Sequence, residues 1–354
     1  MKASRGMGKL PGDYMEKVIF GNLGSPSSKV VVGPGLGLDN SVLSLGKGNV
    51  MILTSDPVSI IPAIGMEASA RLSVRHLASD YSTCGLMPEF AVFEYNLPPR
   101  LAPEEFEEYV EATSRECKEL GISIVGGHTG NYPGIDYTIV GGGTLLGFGK
   151  AGEYVTPAMA RQGDRILVTK GSAIGTTAVL ANSFSIKLRE SLGPRTIERA
   201  KSFLSMCSTV EEARIASSMG LKDVVTSMHD ATEGGVLGAV SEVAFACGKS
   251  ATVDLDQVVV SEEARAVCSF FGLDPLTSGS EGSLVITVRP ERAVALQRKL
   301  LGRGIESASI GEIGGRKKRG LWVTRGGSRP KKPELPGRDP YWAAYSRATA
   351  EGWR

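Results

Sequence analysis

Histidine and cysteine are scarce in this 354-residue sequence, at three and five residues. The cysteines (Cys84, Cys117, Cys207, Cys247, Cys268) are scattered, with no C-x-x-C pair and no metal-type spacing. Their odd number and wide separation argue against a disulfide framework. Three dispersed histidines supply no H-E-x-x-H zinc site. No uninterrupted apolar run approaches a membrane span. The basic segment Met1 to Gly12 lacks the apolar stretch of a signal peptide, so a cytoplasmic location is expected. Charge of one sign is missing too. Forty Lys and Arg stand against 38 Asp and Glu, a net charge of +2, which leaves no global field for nucleic acid or an anionic membrane. Walker A, an early Rossmann G-x-G-x-x-G and G-x-S-x-G are all absent. That argues against the common nucleotide folds, though not against nucleotide binding.

What is present suits two domains. The length exceeds a typical single domain, and a 42% apolar fraction allows each half a core. The 45 glycines cluster at Gly33 to Gly37, Gly126-Gly127, Gly141 to Gly143 and Gly234-Gly235, where backbone can come close to a phosphate. In the first half the patterning predicts a helix over Asp13 to Leu23 and strands over Lys29 to Val32, Ser41 to Leu45 and Val50 to Thr54. The last of these ends at Asp56-Pro57, and Gly46 to Asn49 reads as a hairpin turn. A helix from Ile64 to Cys84 stops at Gly85. A strand, Glu89 to Tyr95, and a helix, Pro103 to Leu120, come next. The strand Ile122 to Val125 runs into a Gly126-Gly127-His128-Thr129-Gly130 turn, and a Gly-rich strand covers Tyr137 to Leu146.

The pattern relaxes over Gly149 to Gln162, which sets the domains at 1–155 and 156–315. In the second half, strands over Asp164 to Thr169, Val224 to Ser227, Ala251 to Leu255, Ser283 to Val288 and Ser307 to Ile313 alternate with helices. The helices include Gly175 to Ser191, Val236 to Ala246, Glu262 to Phe271 and Glu291 to Leu301. Such alternation indicates a layered α/β or α+β fold. Residues 316–354 read as a basic, proline-containing tail, with eight cations and no acid from Arg316 to Lys332. No aromatic pattern interleaves those charges, which argues against nucleic acid.

The candidate chemistry lies in isolated acidic residues at turns and element ends. Asp39 follows the Gly-rich loop, Asp56 precedes Pro57, and Asp80 lies near a helix end with His76 one turn earlier. Asp230 and Glu233 flank the start of the helix at Gly234-Gly235. Gathered by folding, such carboxylates make a hard oxygen site for Mg²⁺ carrying nucleotide phosphates. Taken singly, each also suits a cap or turn.

In order, these segments resemble the aminoimidazole ribonucleotide synthase (PurM-like) superfamily, which includes selenophosphate synthetase, thiamine monophosphate kinase and HypE. The matching pieces are Gly37-Leu38-Asp39-Asn40-Ser41-Val42, Thr54-Ser55-Asp56, Ser79-Asp80 with Gly85, and Gly126-Gly127-His128-Thr129. Further on they are Gly163 to Lys170, His229 to Gly235, and Asp274 to Thr277 with Glu281-Gly282. The second half is most similar to HypE. The resemblance implies a PurM-like N-terminal domain whose mixed sheet forms a homodimer, followed by a PurM-like C-terminal α/β domain. It implies ATP and Mg²⁺ as cofactors, with phosphorylation turning a substrate oxygen into a leaving group. Asp39, Asp56 and Asp80 would then hold Mg²⁺ and phosphates, and Gly126, Gly127 and Thr129 would approach the nucleotide. Lys170 and Glu281 would serve the closing domain, and Asp80, His128 and Asp230 the chemistry. A maturation partner protein is also implied. A kinase resembling thiamine monophosphate kinase, or a non-catalytic nucleotide-binding partner protein, are the other readings. HypE carries its carbamoyl group on a terminal cysteine, whereas this sequence ends Glu351-Gly352-Trp353-Arg354, which leaves the acceptor substrate open. Asn40, Ser41 and Ser79 also depart from the family pattern, as does His128, where Asp or Glu would be the stronger cation ligand.

Overall fold

A computed structural model describes residues 6–354, with Lys318 described by its backbone alone. Helix α1 (Gly12–Val18) is shorter than expected and buries no side chain. Strands β1 (Val30–Val32), β2 (Ser41–Gly46) and β3 (Asn49–Ser59) follow. Lys47 and Gly48, at φ 50° and 75°, make the expected β2–β3 turn, with the left-handed pair that a tight hairpin requires. β3 continues through Asp56-Pro57, where the sequence pattern ends it. Pairing with β2 stops at Leu53 while pairing with β6 reaches Ser59. Pro57 therefore lies where one side of β3 is a free edge, and a missing N–H is tolerated there.

Helix α2 (Met66–Ser82), β4 (Phe90–Leu97), α3 (Pro103–Glu119), β5 (Ser123–Asn131) and β6 (Ile139–Lys150) complete this half. The sheet order is β1-β2-β3-β6-β4-β5, mixed because β4 and β5 are parallel. Alternate residues such as Ile52, Ala91, Phe93 and Leu145 pack with Leu77, Tyr81 and Tyr109 of α2 and α3. Period two on the sheet meets the helical stripe. Residues of the opposite parity, among them Val92 and Phe148, stay exposed.

The second half runs β7 (Arg165–Thr169), α4 (Ile174–Ser183), α5 (Ser185–Leu192), α6 (Pro194–Ser202), α7 (Val210–Ser217), β8 (Val225–Ala231) and α8 (Gly235–Ala246). After these come β9 (Ser250–Asp254), α9 (Glu262–Phe271), β10 (Ser283–Val288), α10 (Pro290–Leu301), β11 (Ser307–Ile313), β12 (Gly320–Thr324) and α11 (Tyr341–Ala350). Its sheet order is β12-β9-β11-β7-β10-β8. Both faces are covered. Val168 and Val285 pack on α8, and Leu167 and Ile286 pack with residues of α7 and α10. Continuous burial along β8 and β10 follows. The single helix expected over Gly175 to Ser191 is two, broken at Phe184 (φ −125°, ψ 35°), whose ring packs against Phe271 and Tyr345.

The basic stretch expected as a tail is built into this half. β12 pairs in parallel with β9 at the sheet edge, and α11 buries Ala344 and Ala348 beside Phe184 and Phe271. Leu321 and Val323 alternate inward, and Tyr341, Ala344, Tyr345 and Ala348 recur at helical spacing; the surrounding cations hide this pattern. Among the described residues no helix is long and apolar enough to cross a membrane.

Candidate active site

The seam between the halves is set by a close approach. Gly37 has φ 72°, and a Cβ there would lie 2.6 Å from the carbonyl oxygen of Glu242 on α8. Only glycine lets the loop pass, and the next residues carry Asp39 to the seam. The loop is pinned from the first half: Thr54 Oγ1 donates to the Asp39 carbonyl at 2.7 Å. Asn40 Nδ2 donates to the Asp80 carbonyl at 2.9 Å and to Thr83 Oγ1 at 2.8 Å. The asparagine that departs from the family pattern thus ties the loop to the end of α2. Ser79, the other departure, accepts the Thr209 N–H at 2.9 Å and links α2 to the second half. Asp56 extends from β3, Asp80 from the last turn of α2, and Asp230 from β8. His229 and Asp230 lie in a strand, not in the turn that their glycine-rich neighbours suggested.

Four aspartates meet here. The Asp80 and Asp230 carboxyls face each other, with Asp80 the more strongly held in its protonated form, and Asp56 lies within the field of both Asp230 and Asp39. Burial first, and mutual repulsion second, push the carboxyls of Asp56, Asp80 and Asp230 above their ordinary range. His229 crosses the seam. Its Nδ1 is 2.7 Å from Asp39 Oδ1 and its Nε2 is 2.8 Å from Glu242 Oε2. Burial opposes charging this ring, but the two flanking carboxylates outweigh it and raise His229 to about 10. The imidazolium donates from both nitrogens. Burial likewise works against the Glu242 charge, yet His229 and Lys9 hold that carboxyl down at about 2.

Asp39, His229 and Asp230 present ligand atoms within 4.8 Å of one another. A protonated imidazole has no lone pair for a metal, so the carboxylates are the candidate ligands and His229 positions one of them. A buried, oxygen-rich set in which carboxylates outnumber cations fits a hard divalent ion such as Mg²⁺.

The other expected site residues divide. Glu281 stands beside the cluster and is pushed up to about 8, by burial above all, with Asp339, Glu233 and Asp230 adding repulsion. Lys170 is occupied elsewhere: its ammonium bonds the carbonyls of Met206 and Ser208 and pairs with Glu212 at 2.6 Å. Gly126, Gly127, His128 and Thr129 lie along the exposed edge strand β5, not in a turn. A Cβ at Gly127 would sit 2.0 Å from the Phe93 carbonyl oxygen, so this glycine serves strand pairing. His128 Nε2 lies 2.6 Å from Tyr132 Oη. His76 is held neutral by burial, with its ring lowered to about 4. Sequence reasoning missed Glu242 and Lys9. Glu242 had a signal, being the one charged residue in α8 (GVLGAVSEVAFA); Lys9 had none.

Residues 37–148 match the N-terminal domain of AIR synthase related proteins, and residues 161–324 match the C-terminal domain. A putative hydrogenase expression/formation protein of Methanocaldococcus jannaschii is 25% identical, over 81% of this chain and 82% of its own length. The carbamoyl dehydratase HypE of Cupriavidus necator is 26% identical, over 78% and 77%. Among solved structures, the HypE–HypF complex contains a chain that superposes with a TM-score of 0.71 at 19% identity, over 92% of this chain and all of that one. AaThiL complexed with AMPPCP and TMP gives 0.68 at 18% identity, over 92% and 99%. At such identities the superpositions establish a shared two-domain fold.

Proposed function

Because this chain belongs to the AIR synthase related family, we propose that it is an ATP-dependent enzyme of the HypE kind, acting on an oxygen of its substrate. The observation that carries the reading is the convergence of Asp39, Asp56 and Asp80 from the first half with Asp230 from the second. Those carboxylates would hold Mg²⁺. Bound there, Mg²⁺ with ATP would supply charge neutralisation for phosphoryl transfer, the main device such chemistry needs. In the chain itself, His229 holds Asp39 in place. Burial and the neighbouring carboxylates keep Asp80 protonated beside Asp230, and burial pushes Glu281 up to about 8. The nucleotide complex of AaThiL supports ATP as the phosphoryl donor. We assign Gly126, Gly127 and Thr129 to the nucleotide side only through a second subunit, since β5 is an exposed edge in one chain.

A homodimer joined through the uncovered face of the first sheet, in the cytoplasm, belongs to the same proposal. Exposed Val92 and Phe148 support that face as the contact. HypE is seen in complex with HypF, which supports a maturation partner here. All five cysteines of the chain are buried, and Cys268 is pushed up to about 12 by burial. The acceptor is therefore sought outside the chain's own thiols. The likeness to AaThiL with TMP keeps a small-molecule kinase as the second reading.

Equilibrium binding of ATP with and without Mg²⁺, to the native chain and to Asp56→Ala and Asp80→Ala, tests the proposal. Magnesium-dependent binding lost in both variants is expected. ATP binding that ignores Mg²⁺ and both substitutions would contradict it.

A further inference from the structure

Residues 7–9 and 338–342 meet at the seam beside the carboxylate cluster, and they grip each other there. Lys9 Nζ pairs with Glu242 Oε1 at 2.7 Å, and its backbone N–H donates to Glu233 Oε2 at 2.7 Å. The second oxygen of Glu233 accepts from Trp342 Nε1 at 2.9 Å. Arg338 donates to the Met7 carbonyl at 3.1 Å. Between these contacts lies Gly8 at φ 89°, where a Cβ would meet both Glu233 and Trp342 at 2.6 Å. On the other side, Asp339 accepts the N–H of Gly234 at 2.9 Å. The first-half end therefore touches the second half through Glu233 and Glu242, and the C-terminal segment locks it.

The charge at this grip is not arbitrary. The Lys9 ammonium acts on Asp39 and Asp80 as well as on Glu242, and it lowers the repulsion felt at Asp56. Its side chain is still 44% exposed, so water reaches it and the contact can open. Helix α1 behind it buries no side chain, so no core packing opposes release.

We propose that the two chain ends form a clasp over the carboxylate cluster, in which the Lys9 ammonium stands in for a divalent cation and leaves when one binds. The inference rests on the reading of the cluster as a Mg²⁺ site, and it concerns how that site is closed. A monovalent charge on a flexible stem balances the aspartates in the free chain. A divalent ion placed among them repels that ammonium and takes over its role. Releasing Lys9 removes one of the two hydrogen bonds that anchor Glu233, and the Trp342 indole loses a neighbour.

The test uses the full chain and Mg²⁺ alone, without nucleotide, read by calorimetry at low ionic strength. Lys9→Ala is expected to bind Mg²⁺ roughly two- to fivefold more tightly, the scale of one partly exposed ion pair. Lys9→Arg, which keeps the charge, should match the native chain. Deleting residues 2–10 should reproduce Lys9→Ala. Mg²⁺ should also change the tryptophan fluorescence of the native chain, and Trp342→Phe should lose that change. Equal Mg²⁺ affinity in Lys9→Ala and the native chain would overturn the clasp. Weaker affinity in Lys9→Ala would overturn it too, making Lys9 part of the bound state. These outcomes are independent of ATP. Tighter Mg²⁺ binding without any nucleotide binding would leave the clasp standing and remove the ATP-dependent reading.

Discussion

Asp56, Asp80 and Asp230 carry the cost of the site in the free chain, because buried carboxyls that repel one another resist ionisation. Asp80→Asn keeps a neutral donor beside Asp230 and removes the cost of holding a buried carboxyl protonated. It should raise the ligand-free thermal midpoint by about 1–2 °C, the equivalent of about 1 kcal/mol, while cutting Mg²⁺-dependent ATP binding at least ~100-fold. Scanning calorimetry beside a binding titration separates the two effects. The same charges set a pH dependence. A carboxyl raised in the folded state keeps its proton while the unfolded chain has lost it, so stability falls as pH climbs from about 4 to about 7. Mg²⁺ should therefore stabilise more at pH 8 than at pH 5, and equal shifts at both would contradict the assignment. His229 works in the opposite sense. Its pKa of about 10 lies above the ordinary 6.5, so its contribution is complete below pH 6.5 and is lost as pH rises through 10. The midpoint gap between native and His229→Gln should accordingly be widest near pH 6 and shrink toward pH 10.

At the scale of elements, most strands and helices were legible. Helix α9 begins at Glu262 and ends at Phe271 as patterning predicts, and β10 and β11 match their expected limits. Two of the failures share a cause. Gly126-Gly127-His128-Thr129 and His229-Asp230 read as turns because glycine is the usual residue of turns. In the fold, Gly127 is small so that β5 can lie against β4, and β8 keeps His229 and Asp230 within its ladder to β10. Local sequence carries no sign of a neighbouring strand's carbonyl. The uncovered face of the first sheet yields a prediction of its own. Phe148→Glu or Val92→Glu should convert the proposed dimer to monomer in sedimentation at micromolar concentration, with the thermal midpoint of each fold half little changed. A native chain already monomeric at that concentration would remove the dimer.

At the scale of the molecule, the two-domain plan was readable because each half alternates strands and helices and contains its own apolar stripes. The gathering of Asp39, Asp56 and Asp80 followed from resemblance, since residues 17 and 24 positions apart give no spacing rule that brings them together. Lys9 gave no signal at all, while Glu242 showed only as the one charge in α8 and the C-terminal segment only as a masked apolar pattern. Their partners lie across the seam, and the cations from Arg316 onward obscured the buried faces of β12 and α11. The central claim is that these carboxylates form one cation site for a nucleotide. Crystals grown with Mn²⁺ and a non-hydrolysable ATP analogue test it most directly through the anomalous signal of the metal. Density for Mn²⁺ among Asp39, Asp56, Asp80 and Asp230, next to the analogue's phosphates, is the predicted result. Phosphates bound elsewhere, or a cluster that takes no Mn²⁺ while the analogue binds, would contradict it.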